Sequence, residues 1–361
     1  MITVSLCMIV KNEEKILSRC LNSYLGLFDE IIIVDTGSTD NTKNIAKKYT
    51  DKIYDYKWIN DFADARNYAF SLCSCQYIFC ADADEVLDKT NRLAFSQLKE
   101  VLLPEIDIVQ MKYVNTDNIN QYYNCKKELR PKLFKRLRTF TWISPIHETV
   151  LLEPVIYDSD IEILHMPETL HTKRDFSIFA TILERGETLK KYVVLMFCKE
   201  MYITATNDDL VQYKPLFLQY MTAYTDKDCM LAVNCVLAKM CRITNDTNNF
   251  FKYALKNIAC EACSEICMEI GEYYFKACDY EEAILWFINA EGETSSILDI
   301  HSGNDAPLNR LADCYSNLSE IMTKQYTLTG NDEYQNLATI YHNNSTQYRI
   351  QAQNWKMPEE L

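Results

Sequence analysis

Two aspartates close an apolar run in Tyr77-Ile-Phe-Cys-Ala-Asp82-Ala-Asp84-Glu85. The apolar part reads as a buried strand, and open α/β sheets bind ligands beyond the carboxyl ends of such strands. Asp82 and Asp84 are two residues apart, so on a continuing strand they share a face. Hard carboxylate oxygens converging there suit Mg2+ or Mn2+, ions that commonly hold substrate phosphates as well. The same acidic pair is compatible with a solvated turn after a core strand. The surrounding elements have to decide between the two.

Residues 1–115 alternate strand and helix signals. Ile2–Val10 reads as a strand and Asn12–Leu25 as a helix, with Leu17, Leu21 and Tyr24 on one face and Asn12 as its cap. Glu30–Asp35 is a short apolar strand, and Thr36–Thr42 a turn rich in cap residues before another helix. Lys52–Tyr56 gives a third strand, Asp61–Cys73 a helix, and Tyr77–Asp82 the next strand. This alternation implies a parallel, doubly wound sheet. Strands ending at Asp35 and Asp82 then set two carboxylates along one sheet edge. Residues 106–165 add strand-like runs at Ile106–Val114, Lys132–Leu137 and Ile161–Leu164. Lys126, Lys127, Arg130, Lys132, Lys135, Arg136 and Arg138 form a basic cluster there. It reads either as a phosphate contact or as a solvated face.

From residue 171 onward the pattern is all helical. The spacing Gly271-x-x-Tyr274-x5-Tyr280-x-x-Ala283-x3-Phe287-x-x-Ala290 fits a tetratricopeptide (TPR) helix pair, with small residues where the helices touch. A looser second unit starts at Arg310, and a generic helical bundle is the alternative. A chain of 361 residues accommodates two domains, 1–170 and 171–361.

A net charge of −14 argues against nonspecific binding to nucleic acid or anionic membranes. No apolar stretch approaches the ~20 residues of a membrane span. The apolar N-terminus lacks a positive flank and reads as a strand rather than a signal peptide. The fifteen cysteines are scattered through apolar runs, as small hydrophobes in a reducing cytoplasm would be. Cys260, Cys263 and Cys267 share a helix face, but no second pair or nearby His completes a zinc set.

Four segments together resemble the family 2 glycosyltransferases, which have the GT-A fold. They are Ser5-Leu-Cys-Met-Ile-Val-Lys-Asn-Glu-Glu14, Val34-Asp-Thr-Gly-Ser-Thr-Asp-Asn-Thr42, Trp58-x-x-Asp61-Phe-Ala-Asp-Ala-Arg-Asn67 and Ala81-Asp-Ala-Asp-Glu85. The resemblance covers roughly residues 1–165. With Ile146-His-Glu148 and the C-terminal repeats, it narrows to bacterial TPR-containing glycosyltransferases. Some of these modify peptides or proteins, the sublancin S-glycosyltransferase and flagellin O-glycosyltransferases among them. Ser144 and Pro167 stand where many relatives have Gly, both on the acceptor side.

The resemblance implies an inverting, Mn2+- or Mg2+-dependent transferase that moves Glc or GlcNAc from a UDP-sugar to a Ser, Thr or Cys side chain of a protein or peptide. In that reading Asp84 ligates the metal, Asp82 contacts ribose or the metal through water, and His165 is the third ligand. Asp35 accepts from base or ribose, the main chain at Val10 and Asn12 frames the base, and Arg66 grips uracil or diphosphate. A structural pairing of Arg66 with Asp64 is the alternative. Glu148 is the general base, with His147 as the other candidate, since an unperturbed imidazole near pKa 6.5 is chemically able. Trp58 and Trp142 either stack on substrate or pack in the core. The helical domain would bind acceptor or form a homodimer. Competing readings are a glycan or lipid-linked acceptor, a nucleotidyltransferase, and a non-catalytic repeat scaffold.

Overall fold

The computed structural model describes residues 1–115, 123–136, 142–150, 154–167 and 172–360. It divides into two compact units. One is Met1–Ile178 together with the C-terminal tail from Pro358, and the other is Phe179–Met357.

The first unit is an α/β domain. Its strands are β1 (Val4–Val10), β2 (Glu30–Asp35), β3 (Ile53–Asp55), β4 (Tyr77–Ala81), β5 (Glu85–Val86), β6 (Ile108–Asn115), β7 (Lys127–Lys135), β8 (Trp142–Ile143), β9 (Thr149–Val150) and β10 (Ile156–His165). Eight of them form a mixed sheet in the order β3-β2-β1-β4-β7-β6-β10-β5. β3, β2, β1 and β4 run parallel, β7 runs antiparallel to β4 and β6, and β10 lies parallel to β6. The helices are α1 (Leu17–Tyr24), α2 (Thr42–Ala46), α3 (Phe62–Ser71) and α4 (Lys89–Val101), and α5 (Thr172–Glu184) carries the chain into the second unit.

The period of two along each strand feeds both faces of the sheet. Leu6 and Met8 join Leu17, Leu21, Phe79 and Phe95 in one core, while Cys7, Ile32 and Ile78 join Ala69, Phe70 and Trp142 in another. Two helix layers around an apolar sheet are thus specified by the alternation itself.

Three local expectations differ from the structure. The first helix starts at Leu17, not Asn12, and Ile16 at its N-cap makes no side-chain cap. Asn12 instead has φ 56° and accepts through Oδ1 from the Thr39 N–H at 2.8 Å, tying the first loop to the second. The Asp82 strand stops at Ala81, and the Glu85 N–H donates to the Asp82 carbonyl at 3.2 Å in a turn. The basic run of β7 disperses because neighbouring residues alternate across the strand. Lys127 pairs with Glu162, Lys132 with buried Glu85, and Arg130 lies over the Tyr113 ring. Leu137 and Arg138 lie outside the described residues, as does the expected boundary at 170/171.

The second unit is helical: α6 (Lys191–Thr204), α7 (Asn207–Tyr220), α8 (Lys227–Ile243), α9 (Thr247–Cys260), α10 (Ser264–Lys276), α11 (Tyr280–Ile288), α12 (Asp305–Thr329) and α13 (Asp332–Asn354). The pair α10–α11 carries the repeat spacing. A Cβ on Gly271 would sit 2.5 Å from the Phe287 ring, so only glycine lets the two helices approach this closely. Ala283, Phe287 and Ala290 are buried in the same cluster. Asp279 caps α11 by accepting from the Glu282 N–H. The second repeat expected at Arg310 is a long hairpin, α12 against α13.

Candidate active site

A cavity of about 650 Å3 opens at the carboxyl end of the parallel strands. It is lined by main chain and side chains from the loop after β1, by Trp58 and Arg66 of the α3 region, by Asp82 and Asp84, and by His147 and Glu148. Short strands ending in loops at one sheet edge produce this placement.

Arg66 organises the floor. It is 8% exposed, and all three guanidinium nitrogens find partners. Nε donates to Glu148 Oε1 at 2.5 Å, Nη1 to Cys80 Sγ at 2.8 Å and Nη2 to Asp82 Oδ1 at 3.2 Å. Asp64, the alternative partner, hydrogen-bonds Tyr56 instead. Burial would push the Asp82 carboxyl up, but Arg66 and Lys132 outweigh it and hold it at about 2. Glu148 and Asp82, far apart in sequence, are thus tied through one cation.

Asp84 faces the end of β10. Its Oδ2 lies 3.2 Å from His165 Nε2, and Oδ1 is buried without a hydrogen-bond partner among the described residues. A buried carboxylate oxygen left unpaired is costly, and a bound cation removes the cost. Oxygen ligands with one imidazole suit Mn2+ or Mg2+. The donor set present therefore fits a divalent ion.

The other expected residues are distributed less evenly. Val10 and Asn12 line the cavity, although the Val10 carbonyl accepts from Thr36. Asp35 is buried behind that wall. Its Oδ1 accepts from the Gly37 and Ser38 N–H groups, while Oδ2 has no partner among the described residues. Trp58 lines the cavity, whereas Trp142 packs in the core beside Phe70 and Phe134. Ser144 has φ 72°, the left-handed region that favours glycine, and His147 has φ 46°.

Among the cavity residues that the sequence reading did not single out are Arg174 and Glu13. Arg174, in the first turn of α5, lies over the Phe62 ring at 4.8 Å. Glu13 is half-buried, and burial, reinforced by Asp84 and Asp82, pushes it up to about 7 against the pull of Arg174. Glu13 was visible in the Lys11-Asn-Glu-Glu14 segment, but only the fold reveals how close the other carboxylates come.

The zinc question in the helical unit resolves differently from the spacing. Cys263 meets Cys235 at 3.4 Å, not Cys260 or Cys267, and Glu265 completes a three-residue group. The Glu265 Oε1 already accepts from the Ile297, Leu298 and Asp299 N–H groups, so this carboxylate is satisfied without a metal.

Residues 5–149 match the family model described as glycosyl transferase family 2. The chain carries a family 2 glycosyltransferase domain. A TPR repeat-containing protein of Synechococcus elongatus is 40% identical over 112 residues, 28% of this chain and 28% of that protein. The SPbeta prophage-derived glycosyltransferase SunS of Bacillus subtilis is 24% identical over 286 residues, 76% of this chain and 66% of that protein. The lipopolysaccharide core biosynthesis glycosyltransferase LpsC of Rhizobium meliloti is 31% identical over 138 residues, 37% of this chain and 50% of that protein. This chain thus spans between about a quarter and two thirds of the length of these relatives. Among the described residues, no helix is long and apolar enough to cross a membrane.

Proposed function

We propose that the glycosyltransferase domain moves a hexose, Glc or GlcNAc, from a UDP-sugar to a side chain of a protein or peptide, with inversion at the anomeric carbon and dependence on Mn2+ or Mg2+. The observation that carries this reading is Asp84, whose buried unpaired oxygen and facing His165 adjoin the cavity that Glu148 and His147 also line.

Asp84 and His165 would hold the ion, with Asp82 beside them. When bound there, a divalent ion would supply positive charge against the leaving diphosphate. Arg66 keeps Asp82 and Glu148 in register with nitrogens that are already engaged, so it positions rather than grips. Glu148 takes the acceptor proton on the face opposite the departing diphosphate, as the new glycosidic bond forms and the bond from anomeric carbon to phosphate oxygen breaks. His147 is the competing base. Trp58, edge-on to Phe62 at 4.7 Å, offers an apolar wall for base or sugar. The helical unit supplies an extended surface of the kind that repeats offer to peptides, and homodimerisation through it is the other use.

A nucleotide-release screen with UDP-Glc, UDP-GlcNAc, UDP-Gal, UDP-GalNAc, GDP-Man and dTDP-sugars tests the reading. Slow release from one donor, abolished by EDTA and by Asp84→Ala, is the expected result. Neither release nor a donor-induced thermal shift would sink it in favour of a scaffold. A second acceptor class, a cell-surface glycan, is favoured by the similarity to LpsC. Transfer to purified core oligosaccharide and not to peptide would establish it.

A further inference from the structure

The parallel register of β6 and β10 sets Asn115 directly beside His165 at the ends of their strands. Both residues are buried, at 4% and 7% exposure. Asn115 Oδ1 lies 3.2 Å from His165 Nδ1, and Asn115 Nδ2 donates to the Cys125 carbonyl at 3.5 Å. The second contact fixes which end of the amide faces the ring, because the flipped amide would set Oδ1 against a carbonyl oxygen. An amide oxygen only accepts, so His165 Nδ1 must carry the proton. In the neutral ring Nε2 then holds a lone pair.

That lone pair points at Asp84 Oδ2, another acceptor, 3.2 Å away. With the ring neutral and Nδ1 protonated, two acceptors face each other at this distance, and a cation between them, whether a proton or a metal ion, turns the repulsion into attraction. The ring is also packed in place. Tyr113 lies against it at 4.7 Å with a tilt of 33°, Tyr123 meets it edge-on at 6.0 Å, and the Arg130 guanidinium lies over Tyr113 at 3.8 Å.

We propose that Asn115 is a positioning residue that locks His165 in the Nδ1–H tautomer, so that its Nε2 lone pair is presented with Asp84 to a divalent cation. The role rests on the donor-site reading above and adds a residue to it. Metal-binding histidines are generally oriented by the partner of their other ring nitrogen, and loss of that partner costs about 10–100-fold in metal affinity. Asn115 is not among the residues that line the cavity, and its side chain reaches His165 and the Cys125 carbonyl, so its effect on the site would pass through His165.

Two measurements on the full chain test this. The first is nitrogen-15 NMR of histidine-labelled, metal-free protein, which reads the tautomer; with five histidines the spectrum is assignable by single substitutions. The Nδ1–H form is expected for His165, and an Nε2–H form would overturn the proposal. The second is Mn2+ titration in the presence of UDP, with free Mn2+ read by electron paramagnetic resonance. Asn115→Leu, which removes the acceptor, should weaken Mn2+ binding about 10–100-fold. Asn115→Asp, which restores an acceptor, should stay within a few fold of wild type. Mn2+ binding by Asn115→Leu as tight as wild type would overturn the positioning role alone. Absence of Mn2+ binding by wild type and His165→Ala alike would overturn the donor-site reading and this role with it. Should Asn115→Leu lose its cooperative melt, the wild-type tautomer decides.

Discussion

At the scale of single residues, the site is a set of carboxylates whose charges must be managed. Arg66 does most of this, with three nitrogens on Glu148, Cys80 and Asp82. Breaking a buried ion pair from one side costs about 3–5 kcal/mol. Arg66→Ala should therefore destabilise the first unit by about that much and lower turnover through misplaced Asp82 and Glu148. Equal melting of variant and wild type in urea would contradict it. Glu13 behaves oppositely. Its folded-state value near 7 lies above the unfolded value of about 4.3. Such an acid binds its proton more tightly when folded, so its contribution is full below pH 4 and is lost as pH rises toward 7. In EDTA, Glu13→Gln should match wild type at pH 4 and be more stable at pH 8, by about 2 kcal/mol after allowing for solvent screening of a half-buried group. Melting curves that differ equally at both pH values would refute the assignment.

At the scale of elements, the contacts that matter come from strand ends and helix crossings. β6 and β10 bring Asn115 to His165, and the turn after β4 brings Asp84 to the same place. In the helical unit, the α10–α11 crossing depends on Gly271. Alanine there gains about 0.5–1 kcal/mol of helix propensity. Its methyl, 2.5 Å from a fully buried Phe287, costs about 1–3 kcal/mol of overpacking, which wins. Gly271→Ala should lower stability by about 1–2 kcal/mol, measured by denaturant melting, and an unchanged or raised midpoint would show that Phe287 yields.

At the scale of the whole molecule, the proposed function puts donor chemistry and acceptor binding in different units. A lesion confined to the helical unit should then separate them. Gly271→Ala, assayed where the chain stays folded, should leave UDP-sugar hydrolysis unchanged and reduce glycosylation of a peptide acceptor several-fold. Equal loss of both activities would argue against the division.

The sequence alone determined the strand-helix alternation, the helical second half, the Gly271 crossing and Asp82, Asp84 and Glu148 as cavity acids, because period-two and period-3.6 patterns and Gly, Asp and Asn punctuation are local properties. The same local rules misplaced the start of the first helix, since Asn12 serves the neighbouring loop instead of its own helix. Tertiary structure decided the rest. The Arg66–Glu148 and Arg66–Asp82 pairs, the Asn115–His165 contact, the scattering of the β7 cations and the charge on Glu13 depend on strand order and register. Those follow from which apolar faces pack together across the chain, and no short window of sequence contains that information.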